Sequence, residues 1–289
     1  MQIVTDSGTD LNLTPEQRSE LNIHTVPLSV TLEGKTYREG IDIQPKDFYS
    51  LLEASEDLPT TSQPSAGELA DLYRELAATD PDILSIHISS GLSGTSNAAR
   101  LASSLVTEAN VTVVDTKTLS AAAGWQVEAA GRAAQAGWTQ AKILSLLEQI
   151  GQASDSLYTL KELEYLIHGG RISHMKGLLA SMLNIKPLIG VEKQDGTYVQ
   201  LGRARSFKRA LAGIVDQVLK QYEPGSSLRI QVLHADNPEG AASLRGQFET
   251  QFDCHWQPDS PISLVLGAHT GPTLVAVAYA PELAFAQIP

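Results

Sequence analysis

The sequence contains a single cysteine, Cys254, among its 289 residues. One thiol excludes an intrachain disulfide and any zinc cluster built mainly from cysteines. No apolar run approaches the ~20 residues that a membrane-spanning helix needs. The first residues carry neither a basic segment nor an apolar stretch. We therefore expect no signal peptide and a cytoplasmic location.

Basic residues are also scarce, since 21 Lys and Arg oppose 33 Asp and Glu and give a formal net charge of −12. This balance argues against a broad nucleic-acid-binding surface, but it leaves room for a local basic site. The histidines show no metal-ligand spacing, and the sequence has no HExxH, no P-loop and no GxGxxG after a strand. We therefore expect neither a metal nor a nucleotide cofactor.

The first half alternates short β-branched segments with amphipathic helices. Strands are predicted at 3–4, 83–88 and 111–114. Capping boxes predict helix starts at Thr14 and Ser65, and further helices are predicted at 97–105, 119–136 and 139–151. A hairpin is predicted around Glu33-Gly34. This order is typical of βαβ units and predicts an α/β fold with a parallel sheet.

The second half is richer in strands than in helices. Its strands are predicted at 185–191, 197–201, 228–233, 262–266 and 274–279, and its helices at 174–183, 206–222 and 238–250. The Asp195-Gly196 pair predicts a tight turn between the first two strands. We expect a mixed sheet in a second domain. A polar connector at 152–156 places the domains at 1–154 and 155–289.

Two loops rich in hydroxyl groups are candidate anion sites. Residues 88–97, the serine loop, join a buried strand to a helix, where free N–H groups and hydroxyls come together. The alternative is a plain N-cap by Ser93 or Ser96. Residues 59–65, the threonine loop, place three consecutive hydroxyl residues before the Ser65 helix; the alternative is an ordinary helix entry.

Other polar positions are less specific. Asp6 and Asp10 follow the first strand, and we interpret them as a buttress that accepts hydrogen bonds from neighbouring loops. Arg171 follows a Gly pair at a helix end, and the residues around Arg205 concentrate four cations in seven positions, which favours a local phosphate or acidic-partner site. His269 is predicted on a loop after a strand, with a structural role as the alternative.

Together these stretches resemble the DegV family of fatty-acid-binding proteins, which includes the FakB carriers. In the first half the matching stretches are Asp6-Ser7-Gly8-Thr9-Asp10, Thr61-Ser62-Gln63-Pro64-Ser65, Ser89-Ser90-Gly91-Leu92-Ser93-Gly94-Thr95 and Val114-Asp115-Thr116. In the second half they are Gly169-Gly170-Arg171-Ile172, Leu183-Asn184-Ile185-Lys186-Pro187, Arg205 with Lys208, and His269-Thr270-Gly271-Pro272. The similarity runs in order from residue 3 to about 280. One departure is Thr273, where the family usually has another glycine.

The resemblance implies a two-domain DegV-like fold, with an N-terminal parallel Rossmann-like sheet and a C-terminal mixed α/β sheet domain. It implies one long-chain fatty acid held between the domains as ligand, with no cofactor and no catalytic residue. Carried over by motif, the residues that bind the carboxylate are Thr61, Ser62, Ser93, Gly94, Thr95 and His269. Arg171 and Arg205 match positions that the family links to the phosphorylated head group and to docking of a fatty acid kinase. In the FakB branch the carrier presents its acid to that kinase, and acyl phosphate results.

Two other functions compete with the carrier. The first is a serine acyl hydrolase with Ser93 as nucleophile and His269 as base, although Gly91-Leu92-Ser93-Gly94-Thr95 departs from the Gly-x-Ser-x-Gly elbow. The second is a small-molecule carrier or a phosphotransfer module for some other anion. The apolar residues Leu178, Leu179, Met182, Leu183, Ile185 and Leu188 favour the fatty acid, because they could line a tunnel. We expect a monomer.

Overall fold

The computed structural model describes residues 1–175 and 185–289. Most of the helix predicted at 174–183, including Leu178, Leu179, Met182 and Leu183, lies outside the described residues. Within them, no helix is long and apolar enough to span a bilayer.

The strands of the first half are β1 (Gln2–Asp6), β2 (Ile23–Val26), β3 (Ser29–Leu32), β4 (Lys35–Arg38), β5 (Thr60–Ser62), β6 (Asp82–His87) and β7 (Asn110–Asp115). Those of the second half are β8 (Asp155–Thr159), β9 (Lys186–Val191), β10 (Tyr198–Ala204), β11 (Ser227–His234), β12 (Asp253–Trp256), β13 (Ser260–Pro261) and β14 (Val275–Pro281).

The α-helices are α1 (Pro15–Glu20), α2 (Pro45–Ala54), α3 (Ala66–Ala77), α4 (Thr95–Ser104), α5 (Ser120–Gln135), α6 (Gln140–Ala153), α7 (Glu164–His168), α8 (Phe207–Leu219), α9 (Pro238–Glu249) and α10 (Leu264–Thr270). Short 3-10 turns are formed by Ser7–Thr9, Arg171–His174 and Glu282–Phe285. The capping boxes predicted at Thr14 and Ser65 are both present and begin α1 and α3.

The strands form a parallel sheet, a mixed sheet and a small antiparallel sheet. The parallel sheet has the order β2-β1-β6-β7, as the βαβ pattern predicts. The mixed sheet has the order β10-β9-β8-β14-β11-β12, and β13 also pairs with β11. Strands β12 and β13 run parallel to β11, and the other pairs are antiparallel. The third sheet, β4-β3-β5, contains the predicted hairpin. The α/β fold class, with a parallel and a mixed sheet, is thus confirmed.

Helix α5 lies between the two large sheets and contacts β1 and β6 on one side and β8 and β14 on the other. Its sequence is rich in Ala and Gly, and these small side chains let both sheets approach closely. Trp125 crosses to the second half, where its Nε1 donates to the Gln231 side chain at 3.2 Å. The largest buried cluster accordingly contains residues of both halves. We retain the division at 154/155 as a proposal.

One predicted strand is wrong. Residues 262–266 do not continue as a strand, because α10 begins at Leu264 and extends through His269 to Thr270. A short apolar run does not by itself distinguish a buried strand from a buried helix. His269 therefore lies on a helix and not on a loop.

The hairpin predicted at 185–201 is confirmed as β9 and β10, but its turn is longer than predicted. The connection runs from Glu192 to Thr197, and the backbone N–H of Glu192 donates to the Thr197 carbonyl. Gly196 has a φ of +67°, a conformation that favours glycine.

Candidate functional site

The serine loop leaves the carboxyl end of β6 and is fixed by the second half of the chain. The Ser89 hydroxyl, which is fully buried, donates to the Gly196 carbonyl at 2.8 Å. A Cβ atom on Gly91 would lie only 2.4 Å from the Asp195 carbonyl oxygen. The backbone of the β9–β10 hairpin loop thus rests directly on the serine loop. The last three residues of the serine loop form the first turn of α4.

The base of the serine loop is held by a buried carboxylate. Asp6 accepts hydrogen bonds from the Ile88 N–H at 3.1 Å and from His87 Nδ1 at 2.9 Å, and neither Asp6 nor His87 is exposed. His87 Nε2 contacts the Ser85 hydroxyl at 2.8 Å. The prediction that the carboxylates after β1 act as a buttress is confirmed for Asp6.

The threonine loop lies beside the serine loop. Its strand β5 pairs with β3, which places Ser62 opposite Ser29. The Gln63 side chain packs against Gly94, where a Cβ atom would lie 2.2 Å from Gln63 Oε1. A larger residue at position 94 would therefore displace the Gln63 side chain from its present place.

His269 joins the second half of the chain to the threonine loop. Its Nε2 lies 2.8 Å from the Thr61 hydroxyl. Its Nδ1 is buried and has no hydrogen-bond partner in the described ranges. Burial, followed by the nearby positive charge of Arg171 and by His168, lowers the pKa of His269 to about 4. The imidazole is consequently neutral near pH 7.

Two carboxylates from the first half hold the start of α10, the helix that carries His269. Asp10 accepts from the Ser263 N–H at 2.7 Å, and Glu39 accepts from the Leu264 N–H. Both acids also accept from hydroxyls: Asp10 from Ser120 at 2.5 Å and Glu39 from Ser7 at 2.6 Å. Burial raises the pKa of Asp10, and it raises the pKa of Glu39 to about 7.

A cavity of about 230 Å³ lies where these elements meet, and we call it the head-group cavity. Its polar lining consists of Thr61, Ser62, Gln63, Ser93, Arg171 and His269. Its apolar lining consists of Leu28, Ile88, Leu92, Tyr198, Val265 and Leu266. Four of the six predicted carboxylate ligands thus share one cavity with one of the two predicted arginines.

The other predicted residues lie elsewhere. Thr95 is buried behind the cavity, where its hydroxyl lies 2.8 Å from that of Ser93 and its N–H donates to Ser93 Oγ at 3.3 Å. Gly94 makes room for Gln63, as described above. Arg205 is exposed just after the end of β10 and does not line the cavity.

Arg171 is the cation of the head-group cavity. Its Nη1 donates to the Gly169 carbonyl at 2.7 Å, and its Nε donates to the Leu92 carbonyl at 3.3 Å. In the part of the chain that the structure describes, no carboxylate lies within ion-pair distance of it. Its charge is therefore available to an anion that enters the cavity.

An apolar cavity continues from the head-group cavity. The two share Tyr198 and Leu266, and the Tyr198 ring packs edge-on against Tyr158 with the ring centroids 5.4 Å apart. This second cavity is small, with a volume of about 20 Å³. Further apolar residues that line it are Leu157, Leu233, Ile262, Leu274, Ala276 and Val277. A ligand with a polar head and an apolar tail matches this succession of surfaces.

Sequence reasoning missed Gln63 and Tyr198 as site residues. Gln63 stands between Ser62 and Pro64 in the threonine loop, so its position in that motif was an available signal. Tyr198 begins an ordinary hairpin strand, and only the topology that places β10 beside the serine loop brings it to the cavity.

The geometry gives no support to the hydrolase alternative. A serine nucleophile needs a hydrogen bond to its base. The Ser93 hydroxyl instead bonds to Thr95, while His269 Nε2 bonds to Thr61. Within the described ranges, no carboxylate bonds to the other ring nitrogen of His269.

Comparisons with known proteins place this fold and site in a family. A family model described as an uncharacterised protein of the DegV family matches residues 1–282. A DegV domain-containing protein of Deinococcus radiodurans is 35% identical over 279 residues, which cover 96% of this chain and 95% of the relative. One of Staphylococcus aureus is 35% identical over 269 residues, or 93% and 94% of the two chains.

Two solved structures are similar along almost the whole chain. One is described as showing fatty acid binding of a DegV family protein from Thermus thermophilus; it has a TM-score of 0.86 and 30% identity, and the match covers 97% of this chain and 99% of that one. The other is described as DegV, a fatty acid binding protein from Bacillus subtilis, with a TM-score of 0.86, 29% identity and the same coverage. The resemblance seen in the sequence motifs is confirmed, and this chain belongs to the DegV family.

Proposed function

We propose that this protein is a carrier, not an enzyme, that binds one long-chain fatty acid, with the carboxylate in the head-group cavity and the tail directed into the apolar cavity. One observation carries the proposal: the hydroxyls of Thr61, Ser62 and Ser93 meet beside Arg171 in a cavity that continues along an apolar path. The descriptions of the Thermus and Bacillus relatives as fatty acid binding support it.

The polar end suits a carboxylate ion. Hydroxyl groups that donate to an ionised oxygen form charge-assisted hydrogen bonds, which are about twice as strong as neutral ones. Arg171 adds a positive charge, and the neutral His269 ring can donate a hydrogen bond without bringing a second buried charge. In this assignment Thr61, Ser62, Ser93 and His269 contact the carboxylate.

Gly94 and Thr95 have supporting roles in the same assignment. Gly94 leaves space for the Gln63 side chain, and Thr95 fixes the Ser93 side chain through the 2.8 Å contact between their hydroxyls. A hydroxyl held in place binds a ligand with less loss of side-chain entropy.

The tail supplies most of the affinity. Each buried methylene group contributes ~0.8 kcal/mol, so a chain of about 16 carbons gains on the order of 10 kcal/mol before the cost of ordering the ligand. The apolar cavity is too narrow for such a chain as it stands, so the side chains around Tyr158 and Tyr198 must move to admit it.

Native mass spectrometry of the freshly purified protein tests the proposal, followed by dissociation constants for added hexadecanoic acid. We expect one bound fatty acid per chain. Loss of a hydrogen bond to a charged group costs ~1.5–3 kcal/mol, so Ser93→Ala and Thr61→Val should each raise the dissociation constant roughly tenfold to a hundredfold.

Ser104→Ala is the matched control, because this exposed hydroxyl of α4 donates to its own helix, at the Leu101 carbonyl, and does not line the head-group cavity. It should leave the dissociation constant unchanged. A protein that carries no lipid and takes up no added fatty acid would refute the proposal.

We further propose that the carrier presents its fatty acid to an ATP-dependent fatty acid kinase, which transfers a phosphoryl group to the carboxylate. Support comes from the half-buried Arg171 in the cavity and from the exposed Arg205, which is free to contact a partner. With kinase and ATP, the loaded protein should yield acyl phosphate. Arg205→Ala should slow this reaction and leave fatty acid binding intact; equal rates for both proteins would exclude Arg205 from docking.

A further inference from the structure

A third cavity of about 220 Å³ adjoins the apolar cavity at Ser156, and we call it the distal cavity. It is bounded by the end of β7, by α5 and α6 and by the start of β8. Polar and charged residues that line it include Asp115, Lys117, Gln126, Ser154, Ser156 and Lys193. Nothing in the head-group site explains this polar lining.

The three cavities are adjacent to one another through shared lining residues. Tyr198 and Leu266 line both the head-group cavity and the apolar cavity, while Ser156 lines both the apolar cavity and the distal cavity. Side chains two residues apart lie on the same face of a strand, so Tyr158 and Ser156 of β8 follow one another along this path. Their partners on β14 are small, Ala276 and Ala278, which leaves room beside them.

The distal cavity contains buried polar groups with no partner. Gln126 and Ser154 are 2% and 3% exposed. Within the described ranges, Gln126 Nε2 and the hydroxyls of Ser154 and Ser156 make no hydrogen bond. Buried donors are almost always satisfied in folded proteins, and those left over indicate a place for a ligand or water.

Four of the five charged side chains that line the distal cavity form ion pairs, and the fifth, Glu148, is exposed. Lys193 lies 3.3 Å from the Asp155 carboxylate, and Lys117 lies 3.1 Å from that of Asp115. The buried groups that still need a partner are neutral, one amide N–H₂ and two hydroxyls. They suit an uncharged hydroxyl at the tail end of a ligand better than a carboxylate there, because the neighbouring Asp155 would repel a carboxylate.

We propose that the distal cavity receives a hydroxyl group at the tail end of the acyl chain, so that long-chain fatty acids hydroxylated at the terminal carbon are ligands of this protein. The inference rests on the proposed fatty acid binding. An apolar tunnel penalises a terminal hydroxyl, because the group loses its water and gains no partner. Here the amide of Gln126 and the hydroxyl of Ser154 replace that water.

The test compares dissociation constants of unsubstituted and terminally hydroxylated acids of 12, 14, 16 and 18 carbons. For each length, the quantity of interest is the affinity for the hydroxylated acid relative to the plain one. The double variant Gln126→Met/Ser154→Ala removes the partners of the hydroxyl, and neither residue lines the apolar cavity. At the length that reaches the distal cavity, we expect this relative affinity to fall about tenfold in the variant.

A fall of this relative affinity by fivefold or more at any chain length supports the inference. A smaller fall at every length overturns it and indicates that the distal cavity holds only water. Ser154→Ala alone serves where the double variant does not fold. The dicarboxylic acid of the best length should bind more weakly than the hydroxylated acid; tighter binding also overturns the inference. If the native protein binds no plain acid, the proposed function itself fails, which distinguishes the two failures.

Discussion

Individual titratable residues tie the stability of this protein to pH. Glu39, with a pKa raised to about 7, and His269, with a pKa lowered to about 4, both lie around α10. For Glu39, the folded protein holds a proton that the unfolded chain releases above its ordinary pKa of 4.5. Its contribution therefore weakens the fold as pH rises from 4.5 to 7. His269 weakens the fold as pH falls from 6.5 to 4, because only the unfolded chain is protonated there.

Glu39→Gln should remove the first of these pH dependences. The amide oxygen still accepts from the Leu264 N–H, and no charge is buried at high pH. A pKa difference of about 2.5 corresponds to about 3 kcal/mol. The stability of the variant relative to the natural protein should therefore rise by about 3 kcal/mol between pH 4.5 and pH 8, as measured by urea unfolding at both pH values.

The contribution of His269 is present in both proteins and cancels in this comparison. Glu56→Gln is the control, since this carboxyl group is exposed and its removal should change neither value. The contrary result is a stability of Glu39→Gln relative to the natural protein that is the same at both pH values. That result would show that folding does not raise the pKa of Glu39.

At the scale of elements, the sequence predicted those whose boundaries depend on local signals. The capping boxes at Thr14 and Ser65 begin helices by contacts within four residues, and both were predicted. Helix α10 was not, because its first N–H groups bond to Asp10 and Glu39, more than 200 residues earlier in the chain. No local pattern reports such a contact.

The candidate site likewise contains residues that local sequence signals identify and residues that only tertiary contacts place there. The hydroxyls of Thr61, Ser62 and Ser93 stand in loops after strands, so both their position and their family motif could be identified from the sequence. Tyr198 reaches the cavity only through the pairing of β10 with β9 and the contact of their loop with the serine loop. Its role depends on tertiary structure.

The contact between the serine loop and the β9–β10 loop predicts the effect of Gly91→Ala. The new methyl group would lie 2.4 Å from the Asp195 carbonyl oxygen and must push the two loops apart. Overpacking of this kind costs ~1–3 kcal/mol. We expect a loss of stability of this size in urea unfolding, together with weaker fatty acid binding, because Ser93 lies two residues away.

Gly246→Ala is the matched control. This exposed glycine lies inside α9, and a Cβ atom there would meet nothing within 4 Å. Alanine should stabilise that helix by ~0.5–1 kcal/mol and leave binding unchanged. If both variants changed stability in the same direction, close packing at Gly91 would not be the cause.

At the scale of the whole molecule, the proposed ligand path lies where loops of the first half meet the mixed sheet and α10. The head-group cavity takes its hydroxyls from the first half and His269 and Arg171 from the second, while the apolar cavity is lined mainly by the mixed sheet and α10. A fatty acid in this path contacts both halves at once. Its binding is therefore coupled to the association of the two halves and to the stability of the whole chain.

This coupling predicts that fatty acids stabilise the protein against heat. A ligand that binds only the folded state at a free concentration 100 times its dissociation constant adds ~2.7 kcal/mol. For a chain of 289 residues that is a rise in melting temperature of roughly 4–5 °C. Hexadecanoic acid should produce this rise in a delipidated sample, as measured by calorimetry. Its methyl ester at the same concentration should produce less than half, because it keeps the tail but offers no charged oxygen to Ser93 and Arg171. An ester as effective as the acid would show that the tail alone is recognised, and the head-group cavity would lose its assigned role.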